Sequence, residues 1–194
     1  MVREGLTRRR LLARAGAGAA LATFAGVVPP ARAGAPDGDL AYARLLVGVE
    51  LLSLDFYARA IGARRFEPLV ELRRARAAEK LHYDAVAAIL TGAGQVPATA
   101  QDIDFAYPRS AFASSAAIAR LGVQLETLAL GAYLGAVRAF QTPLYRDHAA
   151  RAAASEAQQL SVFAAAVGGR RLGPALPAAL PIETVSDTLD RYTS

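Results

Sequence analysis

The 194-residue sequence contains no cysteine and no tryptophan, and its single methionine is Met1. Without cysteine there are no disulfides, no thiolate-bound metal and no cysteine nucleophile. That absence also suits a chain exported without dependence on oxidative folding. Aromatic residues make up only 7% of a chain that is 54% hydrophobic, so Ala and Leu must build most of the core. β-Branched residues are sparse, and no alternating apolar and polar run of useful length occurs. Strands therefore have little support, and one compact all-α domain is expected. A basic excess is missing too, once the chain is divided. Residues 1–33 hold six arginines (Arg3, Arg8, Arg9, Arg10, Arg14 and Arg32) against Glu4, and the remainder has sixteen basic and sixteen acidic residues. A body with no formal charge has nothing with which to attract a polyanion, so nucleic acid is excluded as a partner. There is also no G-x-S-x-G elbow or Ser/His/Asp constellation to support a nucleophile-type hydrolase.

Residues 7–12 read TRRRLL, followed by a weakly apolar Ala/Gly/Leu stretch to Val28, then Pro29-Pro30 and Ala31-Arg32-Ala33. This is the charged, apolar and small-residue layout of an export signal, with an A-x-A cleavage site near Ala33. It resembles a twin-arginine signal: Thr7, Arg8, Arg9 and Leu12 match, with Leu11 where Phe is usual and Ala13 where Lys is usual. The resemblance implies export as a folded protein to the periplasm, cell envelope or exterior, with the twin-arginine machinery as a partner. An uncleaved N-terminal membrane anchor over residues 11–28 is the other reading, since such a stretch lies at the lower limit for crossing a bilayer.

After a loose linker, residues 34–38, four amphipathic stretches follow at about 39–62, 67–91, 111–141 and 143–168. Asp39 can cap the first, Gly62 ends it, Pro68 opens the second, and Gly92 and Gly94 close that one. Gln141-Thr142-Pro143 leaves room only for a tight turn, whereas the segment from Gly92 to Ser110 is long enough to run the length of a bundle. Two antiparallel hairpins joined by one long crossover are similar to the ferritin-like topology. Residues 169–194 form a Pro-rich tail with a short helix at 182–191, which either lies across the bundle or is a disordered end.

Every apolar stripe of the four helices contains a glutamate: Glu50, Glu79, Glu126 and Glu156. Glu50 and Glu79 are equidistant from the first turn, as Glu126 and Glu156 are from the second. Each pair therefore lies at one level, ~22 Å from its turn at about 1.5 Å per residue. Four buried carboxylates repel one another and cost several kcal/mol each unless compensated, and two divalent cations would cancel their charge. His82 follows Glu79 at i, i+3, so both side chains point at one ion from adjacent turns. Glu79 could then bridge two ions while His82 ligates one. Carboxylate oxygens with an imidazole suit iron, with manganese also acceptable and zinc a substitute in vitro. Tyr57 and Tyr133 each follow a glutamate by seven residues; they are hydrogen-bond partners or electron donors beside the site, or core packing. His148 lies 80° round from Glu156 and reads as a surface residue.

At these positions the sequence resembles the ferritin-like di-iron and di-manganese carboxylate proteins, whose pattern is Glu, Glu-x-x-His, Glu, Glu-x-x-His. Glu50, Glu79 with His82, Glu126 and Glu156 match; Gln159 stands where the second histidine is expected. More narrowly, the chain is similar to exported bacterial ferritin-like domain proteins, some described as desiccation-related. The resemblance implies a ligand set of Glu50, Glu79, His82, Glu126, Glu156 and Gln159, with the last a weaker ligand than imidazole. It further implies dioxygen or peroxide as a reaction partner, ferroxidase or scavenging activity, and allows a homo-oligomer. The other reading is a non-catalytic bundle with a degenerate site, acting in envelope stress protection or partner binding. Lacking cysteine, the chain is not a complete rubrerythrin; lacking internal methionine, it holds no methionine-ligated haem.

Overall fold

The computed structural model describes residues 35–168 and 173–193, and the signal-type segment lies outside them. Among the described residues there are five helices and no strand: α1 (Asp37–Ala63), α2 (Leu69–Gly92), α3 (Ser115–Ala139), α4 (Pro143–Ala166) and the short α5 (Ile182–Leu189). The main packing pairs are α1 with α2 and α3 with α4, with α1 also lying on α3. This is the expected bundle of two hairpins and a long crossover. No described helix is long and apolar enough to cross a membrane.

Local chemistry sets the helix ends. Arg64 takes a left-handed conformation at φ 51° and turns its N–H onto the Ile61 carbonyl, which stops α1 just beyond Gly62. Pro68 stays extended and sits immediately before α2 rather than in its first turn. The third helix starts later than the periodicity predicts, because Ser114 Oγ accepts a hydrogen bond from the Ala117 amide and fixes the start there.

Asp39 corrects the expectation that it caps α1. The helix already begins at Asp37, and Asp39 is fully buried inside its first turn. Its two oxygens accept hydrogen bonds from the amides of Gln141 at 2.7 Å and Thr142 at 3.0 Å, in the turn between α3 and α4. These are amides that a helix start leaves without an internal partner, so one carboxylate closes the second hairpin onto the first.

Aromatic rings fill the bundle at both ends. Phe56 and Phe66 pack on Phe163 near the α1–α2 turn, with ring centroids 5.7 and 5.5 Å apart. Phe140 lies between Tyr42 and Tyr145 at the α3–α4 turn, at 5.9 and 5.8 Å. The ring of Phe163 reaches the core only because Gly122 has no side chain; a Cβ there would lie 2.5 Å from it.

Residues 173–193 follow the first of the two courses allowed for the tail and lie across the bundle. The Leu180 amide donates to the Gly131 carbonyl at 2.9 Å, and Tyr42 Oη donates to the Leu180 carbonyl at 3.1 Å. Gly135 permits this approach, since a Cβ there would sit 2.1 Å from the Leu180 oxygen. Helix α5 then packs on α1 and α3, and the Ala106 amide of the crossover donates to the Tyr192 carbonyl at 2.7 Å. One long face of the bundle, along α1 and α3, is thereby covered.

Asp39→Ala would leave two amides unanswered, and a buried hydrogen-bonded charge of this kind is worth about 1.5–3 kcal/mol. The variant is expected to lose that much stability in denaturant unfolding, whereas exposed Asp37→Ala should unfold like the parent.

Candidate metal centre

Helical periodicity brings one glutamate inward from each long helix. Glu50, Glu79 and Glu156 are completely buried, Glu126 is 1% exposed, and His82 and Gln159 lie beside them at 9% and 8%. His82 Nδ1 is 2.8 Å from Glu156 Oε1, 3.7 Å from Glu79 Oε2 and 4.0 Å from Glu50 Oε2. The 2.8 Å approach is not aligned as a hydrogen bond, so Nδ1 has a close neighbour and no hydrogen-bond partner. Both oxygens of Glu79 and of Glu156, and one each of Glu50 and Glu126, are likewise buried without a partner.

Ligand atoms of Glu50, Glu79, His82 and Glu156 all lie within 4.8 Å of one another. Ligands on opposite sides of an ion with bonds of about 2.0–2.2 Å stand roughly 4.0–4.4 Å apart, so contraction by a few tenths of an ångström would bring all four onto one ion. Unpartnered lone pairs converging in a buried interior are what a divalent cation satisfies. The donor set therefore fits a metal on its own chemistry.

Glu126 and Gln159 lie outside that compact group, Glu126 close enough to Glu156 and Glu79 to feel their charge, and Tyr57 organises them. Its hydroxyl lies 2.5 Å from Glu126 Oε1 and 2.7 Å from Gln159 Oε1. One phenolic proton cannot serve two acceptors. With Glu126 protonated, its proton goes to Tyr57 and the Tyr57 proton to Gln159; with Glu126 ionised, the Gln159 amide must turn and donate its N–H to Tyr57. On the opposite side Tyr133 Oη donates to Glu50 Oε1. Each tyrosine thus reaches from its own helix to the glutamate of the other hairpin, Tyr57 from α1 to α3 and Tyr133 from α3 to α1.

Burial is the first cause that raises the pKa of Glu50, Glu126 and Glu156 well above the ordinary carboxyl range. Neighbouring carboxylates add to it: Glu79 and Glu156 act on Glu50, Glu156 and Glu79 on Glu126, and Glu79 on Glu156. Burial, followed by the facing glutamate, raises Tyr57 and Tyr133 as well, so both remain neutral phenols able to donate.

His148 is not the surface residue it reads as. It is half-buried, its Nε2 has no solvent contact and no partner, and its pKa is lowered to about 4, first by burial and then by the nearby His82. The signal was its i, i+4, i+8 relation to Ala152 and Glu156, which keeps it within the broad inward face of a bundle helix.

Residues 38–169 match the family model described as "Ferritin-like domain". That span is well over half of the chain, and the chain belongs to the ferritin-like domain family. A search of curated proteins finds no significant match.

The raised carboxyls give the site a definite pH dependence. Glu50, Glu126 and Glu156 retain protons in the folded chain at pH values where the unfolded chain has already lost them. Without metal, this contribution is fully present below the ordinary Glu value of about 4.5 and is lost as pH rises toward the folded values. A divalent ion displaces the same protons and so binds more tightly as pH rises. The melting-temperature increase on adding Mn(II) or Zn(II) to chelated protein should grow between pH 5 and 8 (about 1.4 kcal/mol per decade of affinity gained); an increase independent of pH would contradict it.

Proposed function

We propose that this is an exported ferritin-like protein whose buried carboxylates and His82 hold two divalent ions, iron preferred and manganese also suited, and which acts as a ferroxidase or scavenger of peroxide or oxygen. The observation that carries the reading is the set of buried, unpartnered oxygens on Glu50, Glu79 and Glu156 around His82 Nδ1, with a further one on Glu126 beside them. One ion would take Glu50, Glu79, His82 and Glu156. The other would take Glu126 and Gln159 and share Glu79 and Glu156.

Bound iron would supply one-electron chemistry toward oxygen or peroxide. The chain's own contribution is to hold and shield. Tyr57 and Tyr133 orient Glu126 and Glu50 through their hydroxyl protons, and the aromatic clusters keep bulk water from the layer. The TRRRLL segment and the A-x-A site near Ala33 support export by the twin-arginine route.

Gln159 favours a second reading, a bundle that sequesters metal or binds a partner in the envelope without catalysis. A neutral amide oxygen is a weaker ligand than imidazole, and Tyr57 already engages it.

Protein purified without chelator from its host's exported fraction is expected to carry up to two ions per chain and to oxidise Fe(II) faster than buffer. Disturbing even the partners of metal ligands costs about 10–100-fold, and Glu79→Ala, which removes a shared ligand, should cost at least that in oxidation rate, with loss of metal. Metal without Fe(II) oxidation would select the sequestering reading. A chain carrying no metal would refute the metal centre in either form and leave only the partner-binding bundle, and a chain found only in the cytoplasm would refute export.

A further inference from the structure

The crossover between α2 and α3 is fastened to the first hairpin at two points and bridges the stretch between them. Tyr83 Oη donates to the Ala98 carbonyl at 2.8 Å, and Arg59 Nη2 donates to the Phe105 carbonyl at 3.3 Å. Between these ties, α1, α2 and the crossover leave a cavity of about 410 Å³. It is separate from the carboxylate cage, since none of Glu50, Glu79, His82, Glu126, Glu156 and Gln159 lines it.

Shape and charge define what the space accepts. Its volume falls within the range of small-molecule sites, about 300–1,000 Å³. Leu51 and Leu54 of α1 and Ile103 and Phe105 of the crossover supply apolar walls. The α1 side runs from Leu51 to Ala58, a rise of about 10 Å at 1.5 Å per residue, so the space is a trough that suits an elongated molecule. Three charged side chains line it, and two of them are already answered. Asp55 pairs with Arg59 at 2.7 Å, and Lys80 reaches both oxygens of Asp84 at 2.6 Å. Arg76, exposed at the rim, forms no ion pair and no side-chain hydrogen bond among the described residues. Asp102 on the crossover does not compensate it, because that carboxylate turns to the Thr99 amide and hydroxyl and takes no part in the lining. A guanidinium left open at the edge of an apolar trough can take a carboxylate bidentately while the rest of the ligand leaves water.

We propose that the cavity beneath the crossover is a binding site for an amphipathic monocarboxylate, an anion with an unbranched apolar body, whose carboxylate pairs with Arg76 and whose chain lies along Leu51, Leu54, Ile103 and Phe105. The apolar walls supply affinity, and Arg76 selects the sign of charge. The site shares no residue with the metal centre and does not depend on it.

Octanoate is a suitable probe, with 1-octanol as the uncharged and octylamine as the cationic molecule of the same shape. Ligand-observed NMR on the full mature chain at pH 7, with each probe below its micelle-forming concentration, should show saturable octanoate binding. Affinity for 1-octanol should be lower by about tenfold, the worth of one hydrogen bond to a charged group, and that for octylamine lower still. Arg76→Gln should cost octanoate about tenfold and leave 1-octanol unchanged, a split that a merely structural arginine would not produce. Ala100→Phe, at an exposed position of the crossover that lines the cavity, should fill the space and abolish binding of both; Ala58→Leu fills it from α1 if the larger substitution does not fold. No saturable binding, equal binding of the three probes, octanoate affinity unmoved by Arg76→Gln, or binding undisturbed by both filling variants would each overturn the proposal. Metal content measured on the same samples keeps the readings apart: normal metal without octanoate binding sinks the cavity site alone, and octanoate binding without metal sinks the metal centre alone.

Discussion

Four carboxylates enclosed where water does not reach are the constraint on which this structure turns. Each helix contributes one, and together with His82 they leave seven ligand atoms without hydrogen-bond partners, six of them carboxylate oxygens. Among the described residues nothing else in the interior can neutralise them: the described arginines and Lys80 are exposed, as are the ion pairs formed by Arg59, Arg74 and Lys80. In the absence of a cation the site must hold protons, which is why Glu50, Glu126 and Glu156 are shifted so far upward. The fold therefore sacrifices stability at this layer to keep a charge-receptive cage.

The rest of the architecture maintains that cage. Asp39 ties the turn of the second hairpin to the start of the first, so the helix pairs keep the height at which their glutamates meet. Tyr57 and Tyr133 cross between hairpins and hold Glu126 and Glu50 in place. Glycines on α3 do the opposite of what a core residue does: Gly122 admits the Phe163 ring and Gly135 admits the tail backbone. The two halves of the centre nonetheless differ, since one has an imidazole in the compact group while the other has an amide held by a phenol.

Much of this was legible in the sequence, for particular reasons. A helix that buries a glutamate breaks its own apolar stripe, and Glu50, Glu79, Glu126 and Glu156 do so at matching distances from two turns. Height in an antiparallel pair depends only on counting, so the level could be read before any coordinate. The tertiary partners could not be read this way. Asp39 looks like a local cap because its neighbours in sequence begin a helix, and only the packed bundle sets it against the amides of Gln141 and Thr142. His148 was misplaced because the 80° offset from Glu156 exceeds a narrow stripe but not a bundle's broad inner face. The Tyr57 bridge and the cavity beneath the crossover depend on side-chain directions and on the separation of packed elements, which no one-dimensional pattern carries. Residues 1–33, where the sequence was most suggestive of export, lie outside the described structure.

Anomalous diffraction at the iron and manganese edges, on crystals of protein prepared without chelator, addresses the central claim most directly. The account predicts anomalous density between Glu79 and Glu156, about 2.0–2.2 Å from their oxygens, with His82 Nδ1 on one ion. A cage free of anomalous density, its carboxyls paired to one another through shared protons, would contradict it.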